Sequence, residues 1–239
     1  MPSLRDIGAL LRGRRPAGAP YVVAITGGVA AGKSVLAAEL ANDVAAWPEQ
    51  PSVEIVCTDG FLFDNATLEA RGLSMRKGFP ESYDMAAMRA ALAGIRVGPA
   101  QFPGYSHTIY DVDPALARDL APPDVLIVDG LGLSVDHGAA PDGRRLIDVL
   151  IYLDAEEADL ELWFTDRLLG LWRAAEHDPT SFYARFRHLD EAGARDFARR
   201  VWEGINRPNL RDHISFGRDI ADIVVRKQRD HAIAAIAAR

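Results

Sequence analysis

At 239 residues, with 49% hydrophobic and 26% charged residues, one α/β domain with a large core is the natural reading, though two small domains also fit the length. A formal net charge of −7 argues against a nucleic-acid partner, which favours a basic face; the one cysteine, Cys57, excludes an internal disulfide and any multi-cysteine metal site. No apolar run approaches the length of a membrane span, and Met1-Pro2-Ser3-Leu4-Arg5-Asp6 lacks the apolar core of a signal peptide, so a cytoplasmic protein without a membrane partner is expected.

Residues 1–20 contain a short amphipathic piece around Ile7, Leu10 and Leu11, then a linker-like run from Gly13 to Pro20. They are expected to precede a single domain over 21–239. Tyr21-Val22-Val23-Ala24-Ile25-Thr26 is a β-branched run fit for a buried strand. Gly27-Gly28-Val29-Ala30-Ala31-Gly32-Lys33-Ser34 follows, in the pattern G-x-x-x-x-G-K-S. Val35, Leu36, Leu40 and Val44 then recur at helical spacing, and Trp47-Pro48 ends that helix. Strand, glycine-rich turn and helix together form a phosphate loop. Its glycines let backbone N–H groups approach a phosphate chain, and the helix N-terminus adds partial positive charge. Lys33 reaches the outer phosphates, and the Ser34 hydroxyl is a magnesium ligand. The guanine-reading N-K-x-D signature is absent, which makes an adenine nucleotide the default.

Val53 to Thr58 reads as a second strand that stops at Asp59-Gly60-Phe61. Ligands gather beyond the carboxyl ends of strands in an open parallel sheet. There Asp59 either takes the proton of an attacking hydroxyl or caps the next element. Arg71, Arg76 and Lys77 form a basic cluster that is either a solvated face or a phosphate contact. Asp84 reads as the N-cap of a helix to Gly94. The stretch from Gln101 to Asp113, with Phe102, Tyr105, His107 and Tyr110, lines a polar pocket or forms a hairpin with one packed face. Asp124 to Gly130 contains four apolar residues ending in Asp129, the pattern of the carboxylate that orders a metal-bound water beside Ser34.

Val149 to Asp154 is a further buried strand, and a long helix follows with Leu160, Trp163, Phe164, Leu168 and Leu171 in broad apolar stripes. Arg167 interrupts that surface, either snorkelling from its edge or supplying a cation to a transferred phosphoryl group. Ser181 to Val201 reads as helical, Ile220 to Val225 as a last strand, and Lys227 to Arg239 as a terminal alanine-rich helix. The count is five apolar strands alternating with helices: an α/β fold with a mostly parallel β-sheet flanked by helices on both faces.

From Tyr21 onward the chain resembles the bacterial type I pantothenate kinases, P-loop kinases of the phosphoribulokinase/uridine kinase group. The resemblance rests on Thr58-Asp59-Gly60-Phe61, on Lys77-Gly78-Phe79-Pro80-Glu81-Ser82-Tyr83-Asp84, on Tyr105-Ser106-His107 with Tyr110-Asp111-Val112, and on Trp202-Glu203, Ile205-Asn206 and Asn209-Leu210. It implies a P-loop kinase fold using ATP and Mg²⁺ to phosphorylate the primary hydroxyl of pantothenate. Asp59 would then be the catalytic base, with Lys33 and Arg167 as catalytic cations and Ser34 and Asp129 at the metal. Tyr105, His107, Tyr110 and Asn206 would line the substrate pocket, and Lys227 and His231 would lie near the adenine. A homodimer is also implied.

Several positions depart from the family. Val35 follows Ser34 where a threonine is usual, and Asp129 stands for a glutamate. Phe164 stands for a pocket tyrosine and Leu171 for a pocket phenylalanine. Ala38 replaces an arginine linked to inhibition by coenzyme A, and the segment before the phosphate loop is short. These changes leave two other readings: a related kinase for another small polyol or hydroxy acid, such as a glycerate- or uridine-like compound, and a non-catalytic nucleotide-binding regulator.

Overall fold

The computed structural model describes residues 2–18, 20–135, 137–140 and 143–239. In chain order its strands are β1 (Tyr21–Gly27), β2 (Val53–Cys57), β3 (Ala100–Phe102), β4 (Tyr105–Ser106), β5 (Asp111–Val112), β6 (Arg118–Leu120), β7 (Val125–Asp129), β8 (Val149–Asp154), β9 (Ile223–Lys227) and β10 (Ile233–Ala238). The helices are α1 (Leu4–Arg14), α2 (Lys33–Ala45), α3 (Asn65–Ala70), α4 (Met85–Gly94), α5 (Glu157–Ala174), α6 (Glu191–Val201), α7 (Arg207–Asn209) and α8 (Gly217–Ile220), with π-helical turns at Trp202–Asn206 and Leu210–Ile214.

Six strands form the central sheet in the order β10-β9-β8-β1-β7-β2. The five strands from β9 to β2 run parallel, and β10 closes the edge antiparallel to β9. Every residue of β1, β7 and β8 is buried, as a parallel sheet covered on both faces requires. The short strands pair outside it as β3 with β6 and β4 with β5. The hairpin expected over Gln101–Asp113 is therefore divided between two small ladders, of which β4 and β5 form the compact one.

The C-terminal expectation is corrected. Lys227 to Arg239 is not a helix: Lys227 ends β9, and Ile233 to Ala238 form β10. Alanine prefers helix by only a fraction of a kcal/mol per residue. Pairing with β9, from Ile233 opposite Lys227 to Ala238 opposite Ile223, satisfies a backbone edge that would otherwise be open. Asp84 caps α4 as expected, its carboxylate accepting from the Ala87 N–H at 2.9 Å. The Ser181–Val201 region divides into a 3₁₀ turn at Phe182–Phe186 and α6.

Helix α1 is tied to the core. The Asp6 carboxylate accepts from the Ser3 N–H and hydroxyl at 2.7 and 2.8 Å at the start of α1. Ile7 and Leu11 are fully or almost fully buried. Gly8 lets α1 approach α2 closely, since a Cβ there would lie 2.0 Å from the Asp43 carboxylate. A Leu11→Ala substitution is expected to destabilise the protein by about 2–5 kcal/mol, read as a lower midpoint in urea unfolding; an unchanged midpoint would place α1 outside the cooperative unit.

Candidate active site

The parallel register brings three strand ends together. Ile25 of β1 and Cys57 of β2 both lie opposite Asp129, the last residue of β7. The phosphate loop after β1, the turn after β2 that bears Asp59, and Asp129 itself therefore share one edge of the sheet. Gly130 has φ +143°, and a Cβ there would lie 1.9 Å from the Thr58 hydroxyl. That hydroxyl donates to the Leu131 carbonyl at 2.8 Å, tying the ends of β2 and β7.

Within the phosphate loop, Gly27 has φ +142°, and a Cβ would meet the Leu153 carbonyl at 2.5 Å. Gly32 begins α2 in the left-handed region, with φ +90°. The Lys33 ammonium curls over the loop and donates to the Gly27 and Gly28 carbonyls at 3.1 and 2.9 Å. Burial pushes it down to about 8, although the nearby Asp59 and Asp129 carboxylates pull the other way. The Ser34 hydroxyl donates to Asp129 Oδ2 at 2.6 Å, and burial raises the Asp129 carboxyl above its ordinary range. Ser34 and Asp129 thus present a pair of hard oxygen donors at the helix N-terminus. That fits Mg²⁺, which binds through one or two protein oxygens together with substrate phosphates; no group of three or more acidic, histidine or cysteine side chains suited to a metal occurs among the described residues.

Beside the loop lies a cleft of about 430 Å³. Asp59, Tyr105, His107, Tyr110, Phe164, Arg167 and Asn206 line it, with Val29 of the loop. Every residue expected at the substrate is thus in one cavity. Arg167 is exposed and has neither hydrogen bond nor ion pair among the described residues, so its guanidinium is free at the cleft. Burial lowers the affinity of His107 for a proton, and it keeps the Tyr105 and Tyr110 phenols protonated. The apolar wall is aromatic: Phe182 packs 4.7 Å from Tyr110, and Phe186 stacks on Phe197 at 4.5 Å. Leu171 does not line the cleft; its neighbour Leu168 does.

Lys227 and His231 lie on another side of the loop. Lys227 donates to the Ala31 carbonyl at 3.0 Å. The His231 ring stacks on Trp163 at 4.2 Å, whose indole N–H donates to the Arg229 carbonyl at 3.0 Å. Trp163, read from its spacing as a core residue, is the flat partner that the sequence did not single out.

The basic cluster separates into two roles. Arg71 lies over the Phe63 ring, and Arg76 over Phe79 while pairing with Glu81 at 2.6 Å. Lys77 instead faces the cleft, donates to Asn65 Oδ1 and the Tyr110 carbonyl, both at 2.7 Å, and lies 4.5 Å from the Tyr110 ring. Tyr83, Tyr183 and Asn209 also line the cleft and were missed as site residues. Only the Lys77–Asp84 and Trp202–Leu210 motifs carried a signal for Lys77, Tyr83 and Asn209. Asn206 Nδ2 and Asn209 Oδ1 are buried without a partner. The π-helical turns around them are a distortion frequent at functional sites.

No family model matches the chain. It is 40% identical over 230 residues to a pantothenate kinase of Streptomyces coelicolor, covering 93% of this chain and 70% of that one. It is 41% identical over 239 residues to a pantothenate kinase of Clavibacter sepedonicus, covering 98% and 75%. Among solved structures it superimposes on a kinase from Silicibacter sp. TM1040, described as belonging to a fructose transport system, with TM-score 0.69 and 26% identity over 92% of this chain and 96% of that one. No helix among the described residues is long and apolar enough to cross a membrane. With the phosphate loop, the shared strand ends and these relatives in agreement, the chain belongs to the pantothenate kinase family.

Proposed function

We propose that this protein transfers the γ-phosphoryl group of ATP to the primary hydroxyl of pantothenate. The observation that carries the reading is the convergence of Asp59, Arg167 and the Tyr105, His107, Tyr110 and Asn206 side chains on one cleft beside the phosphate loop. The triphosphate lies along the loop from Gly27 to Ser34, held by backbone N–H groups and the Lys33 ammonium. The adenine lies near Lys227 and His231. Ser34 and Asp129 would hold Mg²⁺, which supplies charge neutralisation on the phosphates.

In the cleft, the Asp59 carboxylate accepts the proton of the substrate hydroxyl as that oxygen bonds to the γ-phosphorus. The bond from phosphorus to the β–γ bridging oxygen breaks, and ADP leaves with its electron pair. Lys33 and Arg167 face the negative charge that the transferred group spreads over its oxygens. Positioning and electrostatics thus do most of the catalysis. Asn206 and the tyrosines hold the polar part of the acceptor, and the Phe182 and Phe186 wall shields it from water.

Phe164 favours a second reading. It offers no hydroxyl where the family's pocket has one, and a kinase for a different small hydroxyl compound would account for that. Coupled ADP-release assays with ATP and Mg²⁺ separate the two, using pantothenate against glycerate, uridine and simple polyols. Turnover confined to pantothenate is expected, with Asp59→Asn lowering kcat by about 10²–10⁴-fold as loss of a general base does. Turnover only with another acceptor would overturn the pantothenate reading, and an Asp59→Asn enzyme with full activity would remove the base.

The nucleotide site carries its own test. In the free protein Lys33 loses its proton near pH 8, whereas a bound triphosphate favours the charged ammonium. ATP binding at pH 8 is therefore expected to take up a proton, and the uptake fades towards pH 6.5, where both forms are protonated. Titration calorimetry in two buffers of different ionisation enthalpy measures it, and Lys33→Met should abolish it.

A further inference from the structure

We propose that Tyr83 is a positioning residue for Asp59: its hydroxyl holds one carboxylate oxygen, so that the other is presented to the substrate hydroxyl. The inference rests on the assignment of Asp59 as the base. The Tyr83 hydroxyl donates to Asp59 Oδ1 at 3.3 Å. Tyr83 is 4% exposed and lines the same cleft as Asp59.

Backbone pairing fixes this contact from both sides. Tyr83 forms an antiparallel bridge with Leu62. The Asp84 N–H donates to the Phe61 carbonyl at 2.8 Å, and the Phe63 N–H to the Ser82 carbonyl at 2.9 Å. The Leu62 N–H in turn donates to the Asp59 carbonyl at 3.1 Å, closing the turn that carries the carboxylate. Behind Tyr83, the Ser82 hydroxyl donates to the Phe79 carbonyl at 2.7 Å and accepts from the Gly78 N–H at 2.9 Å. The chain over 78–84 is thus pinned to the chain over 59–63, which places the buried Tyr83 ring beside Asp59.

The chemistry suits the role. Burial beside Asp59 and Cys57 raises the Tyr83 phenol well above its ordinary range, so it stays a donor throughout the working range. A carboxylate with free rotation presents either oxygen, or neither, to an incoming hydroxyl. One held by a fixed donor keeps the second oxygen in a constant place, and a misplacement of about 1 Å is enough to slow transfer 10²-fold.

The test compares kcat and KM for the acceptor that the enzyme phosphorylates. Tyr83→Phe keeps the ring and removes the donor; kcat is expected to fall about tenfold or more, with the acceptor KM within about threefold and the melting temperature close to that of the parent. Placing p-aminophenylalanine at position 83 restores a donor on the same ring and should recover most of kcat. In an Asp59→Asn background, Tyr83→Phe should leave the residual rate unchanged, because the group it positions is gone. An undiminished kcat in Tyr83→Phe, a loss that p-aminophenylalanine does not recover, or additive losses in the double variant would overturn the proposal. These results leave Asp59 as the base. An Asp59→Asn enzyme with full activity would instead remove the base and the positioning role together.

Discussion

Everything at the site depends on the register of β7 between β1 and β2. Asp129 lies opposite both Ile25 and Cys57, so the loop that holds phosphates and the turn that bears Asp59 are placed by the same ladder. The three strands are held by apolar burial rather than by the site: Val22, Val23, Ala24, Leu126 and Ile127 are wholly inaccessible, and a full side chain of this kind contributes roughly 1.5–3 kcal/mol on burial. A slip by one residue would turn each of these side chains to the opposite face and carry Asp129 away from Ser34. The core thereby sets the 2.6 Å contact between Ser34 and Asp129.

Charge in this corner is balanced within a poorly solvated space. The Lys33 ammonium has two carboxylates near it, Asp59 and Asp129, and still loses affinity for its proton because desolvation outweighs their attraction. It meets that loss by donating to two loop carbonyls, and an incoming triphosphate offers it a stronger partner. Arg167 is arranged the other way. It stays exposed, so its guanidinium keeps its hydration. One cation is therefore held inside the loop and one lines the cleft beside it.

The features readable from the chain alone are those that local pattern determines. The β-branched run before Gly27, the glycine spacing and the apolar run ending in Asp129 each require a particular backbone, and the backbone follows them. The pattern left Tyr105, His107 and Tyr110 between pocket and hairpin; the resemblance pointed to the pocket and added Asn206, distant in sequence, and all four line one cleft. The C-terminal strand was not legible, because Ala234, Ala235, Ala237 and Ala238 favour helix locally and become a strand only when the edge of β9 is there to pair with. Trp163 was hidden for a similar reason: helical spacing counts it with the core, while its stack on His231 arises from a residue 68 positions away. Lys77 and its arginine neighbours have the same charge, and only tertiary packing separates the one facing the cleft from the two lying on phenylalanine rings.

The polarity of the cleft follows from the same packing. Phe164 contributes no hydroxyl; its ring lies 6.1 Å from that of Trp202, which is fully buried. Two of the cleft's polar groups, Asn206 and Asn209, lie on the chain just beyond Trp202. Asn209 donates to the Gly78 carbonyl at 2.8 Å, which fixes its amide and turns its oxygen away from that contact, while Asn206 keeps a buried N–H group unpaired. Two unpaired amide atoms in the interior are costly, and a helix with regular α geometry would rotate side chains three residues apart differently. The π-helical turns on either side of Arg207–Asn209 hold both asparagines at the cleft. Asn206 and Asn209 thus leave polar atoms unpaired in the wall of the cleft, to which Phe164 adds none.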